Sequence, residues 1–254
     1  MFTLGHNLGY THVGEALPCT VEDIDARRES AWTKVRDGID QGLPAYGWEL
    51  AVPEYYVIHG YEGEEYLFVG PGAEEKDGRC RWDEVGDTGI GWLEVYSVHP
   101  QPARPDAEIV KAALEFAVAF GQDGGEWRHD GYNGGLQGYD LWITAMGADM
   151  EDAFGLSYNA ACWAECRRYA GAFLREAASR LPGVTSEAFA AAAEAYETVA
   201  RELTQINTWY PFPGKDPKIV ADRDRRRRAV QALERARTSE TAGLAYLDTI
   251  VAAL

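Results

Sequence analysis

The sequence predicts an α+β chain, a small antiparallel sheet followed by an α-helical bundle of about five helices. Between Leu43 and Gly72 three aromatic-rich apolar runs, Tyr46–Val52, Tyr55–Tyr61 and Tyr66–Val69, are separated by Pro53-Glu54 and Glu62-Gly63-Glu64. Short runs of this composition bounded by Gly and Pro are strands, and Glu62-Gly63 between two of them is a hairpin turn. Beyond residue 105 the apolar residues recur every three or four positions over long stretches, which is the period of helices. Between the two regimes lies His99-Pro-Gln-Pro-Ala-Arg-Pro105, whose prolines favour an extended connection. The chain therefore reads as a strand module over residues 1–103 and a bundle over residues 104–254.

Taken in order, Tyr10–Val13 is a candidate first strand. A helix starts at Thr20 or Asp23 and runs to about Gly38, with Ile24, Ala31, Trp32, Val35 and Ile39 near helical spacing. The three central runs follow, and after a Gly-rich acidic loop over residues 70–91 comes a last strand, Trp92–Val98. Short connections favour antiparallel pairing of these four runs in one sheet. The helices are Asp106–Phe120, Gly134–Met146, Tyr158–Leu181, Ser186–Trp209 and Pro217–Leu254. Their expected buried faces carry Ile109, Ala113, Phe116 and Phe120 on the first, and Cys162, Cys166, Tyr169 and Phe173 on the third. Asp216-Pro217 is a good opening for the last. Trp209–Pro213 reads as a rigid turn over the bundle end.

Composition narrows the function classes. A net charge of −17, with 19 acidic and 7 basic side chains in residues 1–100, argues against nucleic acid or an anionic membrane surface as partner. The Arg225–Arg228 run follows Asp222 and Asp224 and reads as a solvated helix face. No apolar run approaches the ~20 residues of a membrane span, and the N-terminus lacks signal-peptide character, so a cytoplasmic protein is expected. Cys19, Cys80, Cys162 and Cys166 lack metal-site spacing, and the histidines His6, His12, His59, His99 and His129 are scattered, most reading as surface or loop residues. Neither cofactor nor metal is expected.

The stretch Glu54-Tyr55-Tyr56-Val57-Ile58-His59-Gly60-Tyr61, followed by Val69-Gly70-Pro71 and preceded by DGIDQGLPAYGWEL, resembles the second half of a papain-like cysteine-peptidase fold. It is most similar to double-glycine-type peptidase domains and to the N-terminal domain of the butirosin-biosynthesis H type. The resemblance covers about residues 20–97 and implies that the sheet is a papain-like remnant. In those families the strand opens on a catalytic His, and an Asp orients it after the hairpin. Here the corresponding positions hold Glu54 and Gly70. A cysteine nucleophile without base and orienting acid lacks triad logic, so the resemblance implies an inactive scaffold. The alternative is a hydrolase or acyltransferase that uses Cys19 as nucleophile and His59 as base.

The leading expectation is thus non-catalytic binding of a small molecule or partner. Candidate contacts in the strand module are Trp48, Glu49, Glu54, Tyr55 and His59. In the bundle, the Gly-rich approach to the second helix offers Trp127, Tyr132 and Asn133 beside free backbone donors. Asn159 and Glu165 lie on the third helix, and Arg237 and Glu240 interrupt the apolar stripe of the last. Buried charges need partners, so Glu165, Arg237 and Glu240 are expected to meet inside the bundle. A third reading is a structural protein whose helices build a homo-oligomer.

Overall fold

Alternating apolar residues in the first hundred positions leave one side of each strand to be buried. In a computed structural model, which describes residues 2–73, 78–125, 128, 131–148, 153–183, 186–214 and 216–254, these runs form one open antiparallel sheet. Its strands are β1 (Tyr10–Pro18), β2 (Ala45–Trp48), β3 (Tyr55–Glu62), β4 (Glu65–Val69), β5 (Gly78–Arg81) and β6 (Trp92–Pro100). Their order across the sheet is β1-β6-β2-β3-β4-β5. The chain divides into two compact units, Met1–Arg104 and Pro105–Leu254, and the protein is α+β with a helical part.

In the first unit, helix α1 (Ile24–Asp40) buries Ala31, Trp32 and Val35 against Ala45, Tyr56, Ile58, Tyr66, Phe68, Leu93 and Val95. Fully burying each large apolar side chain contributes roughly 1.5–3 kcal/mol. Helix and sheet come closest at Gly38, where an added Cβ would stand 2.4 Å from the Ser97 Cβ. Ser97 is wholly buried and hydrogen-bonds His99 Nε2 at 2.9 Å. The β3–β4 hairpin turns at Gly63, whose φ of 59° is the left-handed conformation that a two-residue turn demands.

Three strands differ from expectation. Strand β1 continues to Pro18 because β6 offers it a partner along its whole length, from Tyr10↔Pro100 to Pro18↔Trp92. Strand β2 is short, since Glu49 takes φ 60° directly after Trp48 and leaves the ladder. Strand β5 lies inside the expected loop. Gly78–Arg81 has little strand propensity, and its pairing with the edge of β4, Tyr66↔Cys80 and Leu67↔Arg79, is a tertiary effect.

The second unit contains α2 (Asp106–Asp123), α3 (Gly135–Gly147), α4 (Ala153–Arg180), α5 (Ser186–Trp209), α6 (Pro217–Ala221) and α7 (Arg223–Ala253). The single helix expected from Pro217 breaks at Asp222, whose carboxylate accepts from the Asp224 and Arg225 N–H groups at 3.0 Å and caps α7. On α4 the buried face is Leu156, Ala160, Ala164, Gly171, Leu174 and Ala177, rotated away from the expected one. Cys162 is half-buried, Cys166 is exposed, and Tyr169 is 58% exposed. Close contact with α5 selects small residues, as at Gly171, where a Cβ would meet the Glu197 Cγ at 3.0 Å. The face of α2 is likewise Val110, Leu114 and Gly121. Arg226, expected to be solvated, is 8% exposed, and its guanidinium donates to the Ala148 carbonyl.

Replacing Gly38 by Ala should overpack the α1–β6 contact and cost about 1–3 kcal/mol. Adding Ser97→Gly should recover part of that loss, and urea denaturation of the two variants checks both expectations.

Candidate functional site

Functional side chains gather in two places, one in each unit. On the sheet face opposite α1, alternation brings up Tyr10 and His12 from β1, Tyr46 and Trp48 from β2, Tyr55 from β3, and Glu94 and Tyr96 from β6. The rings form an edge-to-face array. His12 stands 5.0–5.6 Å from the rings of Tyr10, Tyr46 and Tyr96, and Trp48 lies 4.8 Å from Tyr55. Beside them Glu94, 8% exposed, accepts a 2.9 Å hydrogen bond from the Tyr55 hydroxyl. Burial raises the Glu94 carboxyl above its ordinary value, with the Tyr55 bond pulling the other way. Burial likewise raises Tyr46, Tyr55 and Tyr96 and lowers His12. A cavity of about 310 Å³ opens here against Tyr10, His12, Tyr46, Tyr55, Tyr56, Val57 and Val98.

Of the candidates predicted in this unit, Trp48 and Tyr55 share this face. Glu49 is 3% exposed with its Oε2 lacking a hydrogen bond, and Glu54 is exposed in the β2–β3 turn. His59 is exposed and is the extra residue of a β-bulge between Ile58 and Gly60. The Cys19–His59 pair does not form. Cys19 directly follows β1 and donates its N–H to the Gly91 carbonyl, whereas His59 follows Ile58, whose rung runs through Ala45 to Ser97. Strand spacing and register together put the two side chains more than about 20 Å apart. Nor are all the remaining histidines surface or loop residues: His12 and His99 belong to β1 and β6. His129 and Trp127 lie outside the described residues.

The second place is a cavity of about 600 Å³ among the helices. The 131–134 approach brings in Tyr132 and Asn133. On α3 the three-four spacing aligns Gly135, Gly138, Tyr139, Trp142 and Ala145 along the wall. On α4 a four-residue spacing aligns Gly155, Asn159, Trp163 and Arg167. Glycine is required where the approach meets the end of α2, because a Cβ on Gly135, at φ 54°, would lie 2.2 Å from the Gly121 carbonyl oxygen.

A buried ion pair adjoins this wall. Arg167 Nε donates to Glu240 Oε2 at 2.7 Å, and the Tyr139 hydroxyl donates to the same oxygen at 3.2 Å. Glu240 is 2% exposed, and the Arg167 side chain 16%. The guanidinium also packs over the rings of Trp163 and Tyr196, at 5.1 and 5.9 Å. Burial works against the Arg167 charge, but the Glu240 carboxylate outweighs it and leaves the guanidinium above its ordinary value. Burial and Glu240 raise Tyr139. The terminal nitrogens of Arg167 make no hydrogen bond among the described residues. The buried Trp142 Nε1 has no hydrogen-bond partner among the described residues.

Tyr132, Asn133 and Asn159 thus line one cavity, and Glu240 lies beside it with Arg167. The expected meeting of Glu165, Arg237 and Glu240 does not occur. Arg237 turns to the surface and clasps Asp140 at 2.6 and 3.0 Å, and Glu165, 64% exposed, pairs with Arg168. The missed residue is Arg167, whereas Tyr139 and Trp142 are aromatics of the helix that the Gly-rich approach leads into. The Asn159–Trp163–Arg167 spacing on α4 was the available signal, masked by the bulkier Tyr169 and Phe173. No protein-family model matches the chain, and no curated protein matches it. Among the described residues no helix is long and apolar enough to cross a membrane.

Arg167→Ala should strand the Glu240 carboxylate and lower stability by ~3 kcal/mol or more, whereas replacing the pair together, R167M/E240Q, should cost much less. Urea melts of the variants measure the difference. Glu94 gives a pH-dependent expectation. Its raised carboxyl favours the protonated fold, so that contribution is complete below the unfolded value near 4.5 and is lost as pH rises through the folded value. Glu94→Gln should therefore stabilise the protein at neutral pH, with the gain shrinking as the medium is acidified, as read by thermal unfolding across pH.

Proposed function

We propose that this chain is a non-catalytic binding protein whose helical unit holds a small molecule. The observation that carries the reading is an incompletely satisfied polar floor under an aromatic cavity. Buried polar groups almost always find hydrogen-bond partners, yet among the described residues the Arg167 fork is used only through Nε. Ligand sites combine largely apolar walls with a few convergent polar groups in volumes of this order. Tyr132, Trp142 and Trp163 supply the walls, and Asn133, Asn159 and Arg167 the polar groups.

The strand module fits the same reading as a papain-like remnant without catalytic groups. In support, a helix leads into short antiparallel strands and a hairpin. Glu54 and Gly70 stand where a catalytic His and Asp would be needed, and the sheet register separates Cys19 from His59.

A thermal-shift screen of neutral, cationic and anionic fragments tests the proposal, since a ligand that binds only the folded state raises the midpoint. Hits should raise Tm in the wild type and lose that effect in Ala145→Trp, which fills the cavity. Hits that act equally on both proteins, or no hits at all, would count against the cavity as the binding site.

A further inference from the structure

Building on the binding site just proposed, we infer that its ligand is a small aromatic carboxylate, seated with its carboxylate on the outer guanidinium edge of Arg167 and its ring against Trp142 and Trp163.

The direction of Arg167 carries the first half. Glu240 engages the guanidinium end-on, through Nε alone, and the Trp163 and Tyr196 rings hold its plane. The two terminal nitrogens are left as a pre-set fork on a residue that lines the cavity. Two parallel N–H donors in that geometry match a planar carboxylate. Asn133 and Asn159 add amide donors, and the first turn of α3, with no side-chain cap at Gly134, offers backbone N–H groups. The Arg167 fork and the start of α3 are donors only, while each Asn amide offers both a donor and an acceptor.

Charge balance distinguishes the anion. The charges of Arg167 and Glu240 cancel, and among the described residues no further lysine or arginine lines the cavity. A doubly charged phosphate would therefore bring two uncompensated charges into a partly buried site, whereas a carboxylate brings one, spread over two oxygens and met by the hydrogen bonds of the fork. The walls decide the rest of the ligand. Phe120, Tyr132, Trp142 and Trp163 present ring faces and edges around the space, which favours an aromatic body that packs by offset or edge-to-face contact.

Isothermal titration of the full chain with phenylacetate and cinnamate, each against its primary amide, tests this. The acids should bind about tenfold or more tighter than the amides, the worth of one charge-assisted pair. That preference should vanish in R167M/E240Q, which removes both charges together. Should the double variant not fold, the wild-type acid-to-amide ratio still decides. Acid and amide binding alike, both lost in Ala145→Trp, overturns the carboxylate assignment while leaving the binding site in place. A preference that survives in R167M/E240Q overturns the role of Arg167. Failure of all four probes to bind overturns the assignment, and the fragment screen then decides separately whether the cavity binds anything.

Discussion

One buried ion pair constrains the helical unit more than any other contact. Arg167 and Glu240 are each too costly to bury alone. Their 2.7 Å contact therefore fixes the height of α4 against α7. The Tyr139 hydroxyl brings α3 to the same carboxylate oxygen, and the Tyr196 ring brings α5 to the guanidinium. Apolar helix faces packed only through Leu and Ala can slide by a turn with modest loss; a carboxylate shared by two donors cannot. The Gly-rich approach keeps the start of α3 close to α2, while Tyr139 in the second turn of α3 and Arg167 midway along α4 tie both helices to this pair.

The sheet unit solves a different problem. Its strands must bury one face under a short helix, and they do so with close approaches. Gly38 meets Ser97, and a Cβ on Gly47 would stand 2.8 Å from Val95 Cγ1. Bulk that cannot fit there is displaced to the other face, where Tyr46, Tyr55 and Tyr96 keep apolar ring bodies with polar tips. Glu94 is tolerated at 8% exposure because a tyrosine hydroxyl donates to it. Burial still penalises its charge, so this face retains an uncompensated electrostatic cost that the α1 face avoids. On the α1 face Glu15 is served by Ser30 at 2.9 Å and by Lys34.

Much of this was legible in the sequence because alternation and helical period are local. The β3–β4 hairpin, β6 and the long helices follow from residues within a few positions of one another. What escaped was set by contacts distant in sequence. Strand β5 is a strand only because β4 has an open edge, and α4 presents Ala160, Ala164 and Gly171 to α5 because helices in close contact exclude the bulkier Tyr169 and Phe173. The site shows the same division. Glu240 was visible as a charge interrupting an apolar stripe, and Tyr132, Asn133 and Asn159 by their position. The partner of Glu240 was misassigned because Arg237, three residues away on α7, is near in sequence, while Arg167 lies on another helix, 73 positions away. Helical spacing cannot rank two arginines whose difference is which one a neighbouring helix covers.

The chemistry of the pair bears on binding against catalysis. An arginine stays protonated in proteins, and the Glu240 carboxylate already accepts from two donors at one oxygen. Groups locked in this way hold orientation well, which is what recognition requires. The Trp163 and Tyr196 rings packed on the guanidinium reinforce that by holding its plane. Preorganisation of donors supports the proposed binding floor, and under that proposal the unused edge of Arg167, rather than the carboxylate, is the side from which a ligand is read.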